Sequence, residues 1–275
     1  MRKYAVVFFI IVLLCGCTKN AETSIEIPQE DKPEVKSVIH TEINVDSASG
    51  EKKCWGYRPV KGMRPEFSKE QINDMEKYNC IYIGDENEKV MYLTFDEGYE
   101  NGYTEPILQT LKKTGVKAAF FITGSYFDKN EEIIDTMVRD GHIVGNHTEN
   151  HPSLPEKTDE EVKRETEQLN EKFYKKYGIK MKYLRPPMGE YSSKTLMLTQ
   201  KIGYINTFWS FAYKDWETDN QKGKEYAIEK VTNSFHNGAV ILLHAVSKDN
   251  SDALEEIILK AREMGYEFKS LDEYR

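Results

Sequence analysis

Residues 90–104 read VMYLTFDEGYENGYT, and this stretch decides the fold class. Val90–Phe95 is a run of apolar and β-branched residues that predicts a buried strand, and Thr104 is predicted as the N-cap of the helix that follows. Asp96 and Glu97 come directly after the predicted strand. A strand that passes through a polar loop into a helix is the first half of a β-α-β unit. The stretch therefore predicts an α/β fold with a parallel sheet.

The alternation of strand and helix continues to the C-terminus. Further strands are predicted at Ala118–Ile122, His142–Gly145, Tyr183–Arg185, Tyr204–Trp209, Ala239–Leu243 and Tyr266–Lys269. Helices lie between them, and one begins with the capping-box spacing of Thr158 and Glu161. Seven such units favour an incomplete (β/α)7 barrel over an open doubly wound sheet. No glycine-rich phosphate loop follows the first strand, which disfavours a nucleotide site.

Length and charge exclude several classes of protein. The chain has 275 residues, of which 39% are hydrophobic, so one domain can bury a sizeable core without a disulfide scaffold. The formal net charge of −8 leaves no basic excess for a nucleic-acid backbone. Four cysteines are too few for a disulfide-built secreted module.

The N-terminus has the pattern of an export signal. Arg2 and Lys3 precede an apolar run over Ala5–Cys15, which is shorter than the roughly 20 residues that span a membrane. Leu14–Cys17 resembles the cleavage box of bacterial lipoproteins, which predicts a lipid on Cys17. The alternative is an uncleaved or conventionally cleaved signal. In either case we expect an exported protein at the outer face of the cytoplasmic membrane or in the cell wall.

Composition divides the chain into four parts. We predict a signal peptide over 1–17, a flexible tether over 18–50, an N-terminal extension over 51–87 that packs on the main domain, and the main domain over 88–275. After signal removal the remaining cysteines are Cys54 and Cys80, neither of which has the sequence context of a nucleophile. The sequence leaves open whether these two pair.

Polar residues collect at the carboxyl ends of the predicted strands, where parallel α/β folds carry their functional sites. They are Asp96, Glu97, His147, His151, Arg185, Asp215 and His244. His40, His142 and His236 lie elsewhere and are interpreted as structural. We expect His236 to be protonated, because a positive charge interacts favourably with the dipole at the C-terminal end of a helix.

The spacing of His147 and His151 brings two imidazoles to one side of a helical turn. Together with one carboxylate they give the ligand set of a catalytic zinc. One acid of the Asp96-Glu97 pair could then hold the metal while the other accepts a proton. The simpler interpretation of that pair is a solvated turn before Gly98.

Five short motifs make the resemblance to a family specific. In order along the chain they are Thr94–Gly98 (TFDEG), His147–Pro152 (HTENHP), Arg185–Gly189 (RPPMG), Asp215-Trp216 and Leu242–His244 (LLH). This order resembles that of the polysaccharide deacetylases, the NodB-homology group or carbohydrate esterase family 4. Longer stretches, including LLHAVSKDN at residues 242–250, resemble the spore-cortex N-acetylmuramic-acid deacetylases.

The resemblance implies a role for each matching position. Asp96 would be the general base and His244 the general acid. Arg185 would keep Asp96 ionised, and Asp215 would orient His244. The ligands of a divalent metal ion, expected to be zinc, would be Glu97, His147 and His151. Glu97 stands where the family usually has Asp.

The substrate contacts implied by the resemblance lie in the later motifs. The backbone N–H of Met188 would stabilise the oxyanion, and Trp216 and Leu242 would line the pocket for the acetyl methyl. Tyr99 lies in a loop of the functional face, where an aromatic ring can stack on a sugar.

The implied activity is metal-dependent removal of N-acetyl groups from peptidoglycan glycan strands. N-acetylmuramic acid is the expected target, with muramic δ-lactam formation in the spore cortex as the process, and the protein is expected to be a monomer. The alternatives are an N-acetylglucosamine or chitooligosaccharide deacetylase and a non-catalytic sugar-binding lipoprotein. A glycoside hydrolase ranks lowest, because it normally needs two carboxylates on opposite sides of the sugar bond.

Overall fold

The computed structural model describes residues 48–274. The predicted signal peptide, the predicted lipidation site Cys17, His40 and the tether up to residue 47 lie outside the described residues. Among residues 48–274, no helix combines the length and the apolar character that a membrane crossing requires.

A seven-stranded parallel sheet forms the centre of the fold. Chain-order labels are β1 Lys53–Cys54, β2 Val90–Glu97, β3 Ala119–Ile122, β4 Ile143–Asn146, β5 Tyr183–Leu184, β6 Glu190–Tyr191, β7 Ile205–Asn206, β8 Ala239–His244 and β9 Glu267–Phe268. The sheet order is β7-β5-β4-β3-β2-β8, with β9 paired to the start of β2, while β1 and β6 form a separate antiparallel pair. Isolated bridges from Thr207 to Ile81 and from Phe211 to Ile241 continue the sheet between β7 and β8. This arrangement confirms the incomplete (β/α)7 barrel.

Eight helices are seen in the described part of the chain. They are α1 Lys69–Lys77, α2 Thr104–Thr114, α3 Gly124–Lys129, α4 Glu131–Arg139, α5 Asp159–Tyr177, α6 Ser193–Lys201, α7 Lys224–Thr232 and α8 Lys248–Glu263. The predicted capping box is present at the start of α5, where Thr158 and Glu161 each accept the other's backbone N–H. The predicted cap of α2 is wrong by one residue, because Tyr103 is the N-cap and makes no side-chain cap bond. The Glu100 carboxylate accepts the N–H groups there instead.

Side chains along β2 alternate between two faces, and this alternation determines which of them face the interior at the carboxyl end of the strand. All eight residues of β2 are buried, as expected for a parallel strand covered on both faces. Met91, Leu93 and Phe95 belong to the large core under the helices, whereas Tyr92 packs with Phe121, Tyr183 and Val240 in the interior of the sheet. Even-numbered β2 residues therefore face the interior and odd-numbered ones face the helices.

Residues 53–83 pack on the main sheet through an apolar cluster of their own. The cluster contains Trp55, Met75 and Tyr82 from this segment, and Met197 and Phe208 from the later part of the chain. Cys54 is exposed and Cys80 is buried, and both are free thiols in the structure.

Two glycines meet where this segment reaches β8. Gly84 donates its N–H to the carbonyl of Gly238 at 2.7 Å, and Gly238 has a φ of +72°. A Cβ on Gly238 would lie 2.5 Å from the carbonyl carbon of Gly84. Since backbone cannot yield as a flexible side chain can, glycine is required at this contact.

We expect Gly238→Ala to lower the free energy of unfolding by more than the roughly 1–3 kcal/mol that a strained backbone conformation costs. The matched control is Gly115→Ala, because Gly115 has a φ of +70° but open space around its Cβ. Urea denaturation of both variants separates the steric clash from the backbone strain. Equal losses would show that the Gly84 contact yields at little cost.

The two structural histidines in the described residues are buried. His142 accepts the N–H of Ala118 through Nδ1. His236 bonds the Ser234 carbonyl and the Ser210 hydroxyl, each at 2.8 Å. Burial lowers the pKa of both rings. His236 is therefore structural as predicted, but the expectation that it is a helix-terminal cation is wrong.

Candidate active site

A cleft of about 720 Å³ opens at the carboxyl ends of the strands. Of the predicted site residues, it contains Asp96, His147, His151, Met188, Trp216, Leu242 and His244. Arg185 and Asp215 lie directly behind it, bonded to Asp96 and His244. The structure thus brings together nine predicted residues from separate parts of the chain.

Asp96 is held ionised by a fixed guanidinium. Arg185 is fully buried and donates from Nη1 to Asp96 Oδ1 at 2.8 Å. Its other donors reach the carbonyls of Thr207 and Phe208, and its plane lies over the Phe121 ring. Burial alone would raise the pKa of Asp96, but the charge and hydrogen bond of Arg185, together with the charges of His147 and His244, outweigh burial and the pKa is lowered. A carboxylate that is ionised at neutral pH can accept a proton.

The pKa of His244 is shifted in the opposite direction from that of Asp96. Asp215 accepts from His244 Nδ1 at 2.7 Å, and its second oxygen accepts the backbone N–H of the same residue. Asn250 also donates to Asp215, which fixes the carboxylate in place. Burial lowers the pKa of His244, yet the charge and hydrogen bond of Asp215, together with the charge of Asp96, raise it above 6.5. The outward Nε2 of a protonated His244 can therefore deliver a proton into the cleft.

His147 and His151 meet on a loop, and the predicted helical turn is wrong. Thr148 and His151 have left-handed φ values of +68° and +58°. The turn is held by Asn146 Oδ1, which accepts the Thr148 N–H, and by Thr148 Oγ1, which accepts the His151 N–H. The two rings stand edge to face with centroids 4.7 Å apart. Side-chain bonds within the loop, rather than helical periodicity, bring the imidazoles together.

Both imidazoles have the donor chemistry that a divalent metal ion needs. His147 Nδ1 is 2.8 Å from the carbonyl of Arg185, which places the proton on Nδ1 and leaves the Nε2 lone pair facing Asp96. Burial lowers the pKa of His147 to about 4 and also lowers that of His151. The rings are therefore neutral at neutral pH, as ligands must be.

Glu97 lies apart from these histidines, so the structure does not assemble the predicted shell of Glu97, His147 and His151. Since Asp96 faces the interior, Glu97 as the next strand residue points to the helix side, among Glu100, Thr104 and Tyr126. Its carboxylate is buried beside Thr104, and burial raises its pKa well above the usual range. Within residues 48–274, no group of three or more His, Cys, Asp or Glu side chains is arranged to hold a metal.

The contrast between His147 and Glu97 gives a prediction on metal binding. We expect His147→Ala to lose zinc affinity strongly, because it removes one of two imidazole donors. Glu97→Gln keeps the shape of a side chain that faces the helices, so we expect it to retain the parent affinity. Zinc titration by calorimetry, with circular dichroism as the folding control, measures both. If Glu97→Gln binds as weakly as His147→Ala, the Glu97 carboxylate turns towards the metal.

Three of the four predicted substrate contacts line the cleft, and the fourth does not. Met188, Trp216 and Leu242 line the cleft, and the Trp216 ring stands edge-on to His244 at 5.4 Å between centroids. Met188 has a φ of +59°, an unusual conformation for a side-chain-bearing residue at the turn that the resemblance implicates in oxyanion binding. Tyr99 is half-exposed and is not among the residues that line the cleft, so its contact with a sugar stays a prediction.

Eight lining residues were missed by the sequence prediction. They are Gly56, Tyr57, Pro59, Gly189, Trp209, Ala212, Tyr213 and Lys214. Gly189 belongs to the Arg185–Gly189 motif, Trp209 ends a predicted strand, and Ala212, Tyr213 and Lys214 directly precede Asp215, so these five could have been found by their position along the chain. Tyr57 and its neighbours lie in the N-terminal segment, where no motif marks them.

Comparison with known proteins identifies the family that the chain resembles. The polysaccharide deacetylase family model matches residues 83–206. The peptidoglycan-N-acetylmuramic acid deacetylase PdaA of Bacillus subtilis is 43% identical over 221 residues, which cover 80% of this chain and 84% of PdaA. A peptidoglycan-N-acetylglucosamine deacetylase of Bacillus cereus is 30% identical over 205 residues, or 72% of each chain.

Solved structures show the same fold. The structure of B. subtilis PdaA, a family 4 carbohydrate esterase, matches with a TM-score of 0.80 and 42% identity, covering 82% of this chain and 97% of that chain. A family 4 carbohydrate esterase from Bacillus anthracis matches with a TM-score of 0.71 and 39% identity over 83% and 98% of the two chains. Deacetylases of this family are metal-dependent in general. The chain presented here belongs to the polysaccharide deacetylase family, carbohydrate esterase family 4.

Proposed function

We propose that this protein removes the N-acetyl group from N-acetylmuramic acid residues of peptidoglycan glycan strands. The observation that supports the proposal is that a base with a lowered pKa and an acid with a raised pKa face the same cleft. Arg185 keeps Asp96 ionised, and Asp215 keeps His244 protonated. Hydrolysis of an amide needs both, whereas binding of a sugar needs neither.

The proton transfers follow from these two residues. Asp96 Oδ2 accepts a proton from the water that attacks the acetamide carbon. His244 Nε2 donates a proton to the nitrogen as the carbon–nitrogen bond breaks, so that an amine leaves and acetate remains. The exposed turn at Met188 borders the same cleft and is the proposed place of the developing oxyanion.

We propose that His147 and His151 hold a divalent metal ion, with zinc as the expected ion. When bound, that ion polarises the acetyl carbonyl and makes water more acidic. The His147 ring is fixed for this purpose by the Arg185 carbonyl. Arg185 thereby positions both the base and one ligand, through its guanidinium and its backbone.

N-acetylmuramic acid is proposed as the target because the relative that is 43% identical is named for that activity. We further propose that the process is δ-lactam formation in the spore cortex, with the protein exported, lipid-anchored at Cys17 and monomeric. Residues 1–17 carry the signal pattern on which this location rests.

Incubation with N-acetylated glycan strands tests the activity. We expect acetate to be released without new reducing ends, and mass spectrometry of the fragments to place the lost acetyl group on muramic acid. Loss from glucosamine would support the alternative specificity. New reducing ends would indicate a glycoside hydrolase, and binding without acetate release would indicate a sugar-binding protein.

The pH dependence should identify the acid. Because Asp215 raises the pKa of His244, His244 is protonated up to a pH above 6.5, and activity should fall as pH rises through that pKa. Asp215→Asn removes the charge that stabilises the imidazolium, so we expect the alkaline limb to move to lower pH. Initial rates from pH 5 to 10 measure the shift. An alkaline limb that stays in place would assign it to another group.

A further inference from the structure

The N-terminal segment forms a wall of the cleft. Gly56, Tyr57 and Pro59 line it together with Asp96 and His244, although they precede the residues 83–206 that the family model matches. Neither the family motifs nor the proton-transfer residues give this wall a role.

The hydroxyl of Tyr57 is fully used inside the protein. It accepts the N–H of Ala212 at 2.8 Å and donates to the carbonyl of the same residue at 2.9 Å. A ligand in the cleft therefore meets the ring of Tyr57 rather than a free hydroxyl. The two bonds also fix the ring on the stretch that leads to Asp215.

Trp55 fixes the start of the same wall. Its backbone N–H donates to the carbonyl of Gly189 at 2.8 Å, and its indole N–H donates to the carbonyl of Trp209 at 2.8 Å. The indole is buried against Phe67 and Phe208, with centroids 5.2 and 5.0 Å away. The wall is thus built in place before any ligand binds, which lowers the entropy cost of binding.

The chemistry of the wall suits a sugar ring. Hexoses have apolar C–H faces that pack on aromatic rings, while their hydroxyl edges stay in water. Trp216 contacts His244 at the reacting end of the cleft, whereas Tyr57 belongs to a different part of the chain and is anchored at Ala212. A glycan strand is long enough to contact both.

We propose that Tyr57, with Pro59 beside it, binds the sugar residue next to the one that is deacetylated, so that the N-terminal segment supplies a second glycan subsite. This inference rests on the proposed function, because it takes a glycan strand as the ligand. It predicts that the length of the glycan governs affinity through Tyr57.

Binding measured without turnover tests the subsite. In the Asp96→Asn background, calorimetry gives the Kd of a peptide-free glycan tetrasaccharide and of the monosaccharide N-acetylmuramic acid. We expect Tyr57→Ala to raise the tetrasaccharide Kd by about tenfold, the scale of a lost aromatic contact, and to leave the monosaccharide Kd unchanged. In the active protein the same change should raise KM for the tetrasaccharide and leave kcat unchanged.

Two controls separate the ring from its anchoring. Tyr57→Phe keeps the ring and should retain the tetrasaccharide Kd, and Tyr174→Ala removes a half-exposed tyrosine on α5 and should have no effect. If Tyr57→Ala does not fold, Tyr57→Leu replaces it, because it keeps apolar bulk without a ring. An unchanged tetrasaccharide Kd in the folded variant, or an equal loss in Tyr57→Phe, overturns the proposal. Because Kd does not depend on turnover, a wild-type protein that releases no acetate would refute the proposed function and leave this test intact.

Discussion

Asp96→Asn should reduce kcat by about 10²–10⁴-fold, the usual contribution of a positioned base. The amide keeps the shape of the carboxylate but cannot accept a proton from water at neutral pH. Asp96 is also the carboxylate partner of the fully buried Arg185, so the variant leaves a buried cation with a weaker acceptor. We therefore expect a lower melting temperature together with the lost rate.

The rate and the stability can be separated by measurement. Acetate release is compared at a temperature where circular dichroism shows that both proteins are folded. Asp128→Asn is the matched control, because Asp128 is half-exposed and pairs with Lys172 on the surface. Acetate release near the parent rate in folded Asp96→Asn would remove Asp96 from the role of base.

His244→Ala should cause a loss of similar size, about 10²–10⁴-fold in kcat. Without a proton donor the nitrogen would have to leave as an anion, which is very slow. The His244 side chain is 22% exposed, so its removal leaves a space open to the cleft. We expect added imidazole to restore part of the rate, more so at a pH where imidazole is protonated.

The rescue distinguishes proton transfer from structural support. His142→Ala with and without imidazole is the control, because His142 is buried away from the cleft and bonds the backbone of Ala118. A rate in His244→Ala that equals the parent rate would show that the proton reaches the nitrogen by another route. A loss without any rescue, with a shifted dichroism spectrum, would indicate that His244 mainly supports the fold.

Short sequence patterns predicted much of the fold. The apolar strand at Val90–Phe95 and the capping box at Thr158 depend on residues that are close in sequence, so the chain predicts them without knowledge of the rest. The parallel arrangement then places strand ends at one edge of the sheet. For that reason Asp96, His147 and His244 could be expected to meet.

Tertiary contacts decided other features. The orientation of Glu97 depends on which face of β2 packs against the helices, and this is set by the whole core rather than by the motif. His236 is neutral because distant residues bury it, although its position after a helix suggested a cation. The histidine loop is held by bonds from Asn146 and Thr148 that no periodicity describes.

The sequence by itself determined the fold class, the family and the residues that carry a base, an acid and two imidazoles, because each is written in a short motif or a local repeat. Only the tertiary structure decided that Tyr57 enters the cleft, since its position depends on Ala212, 155 residues away. It also decided that Glu97 turns from the histidines, because consecutive strand residues face opposite sides and the core chose the side of Asp96.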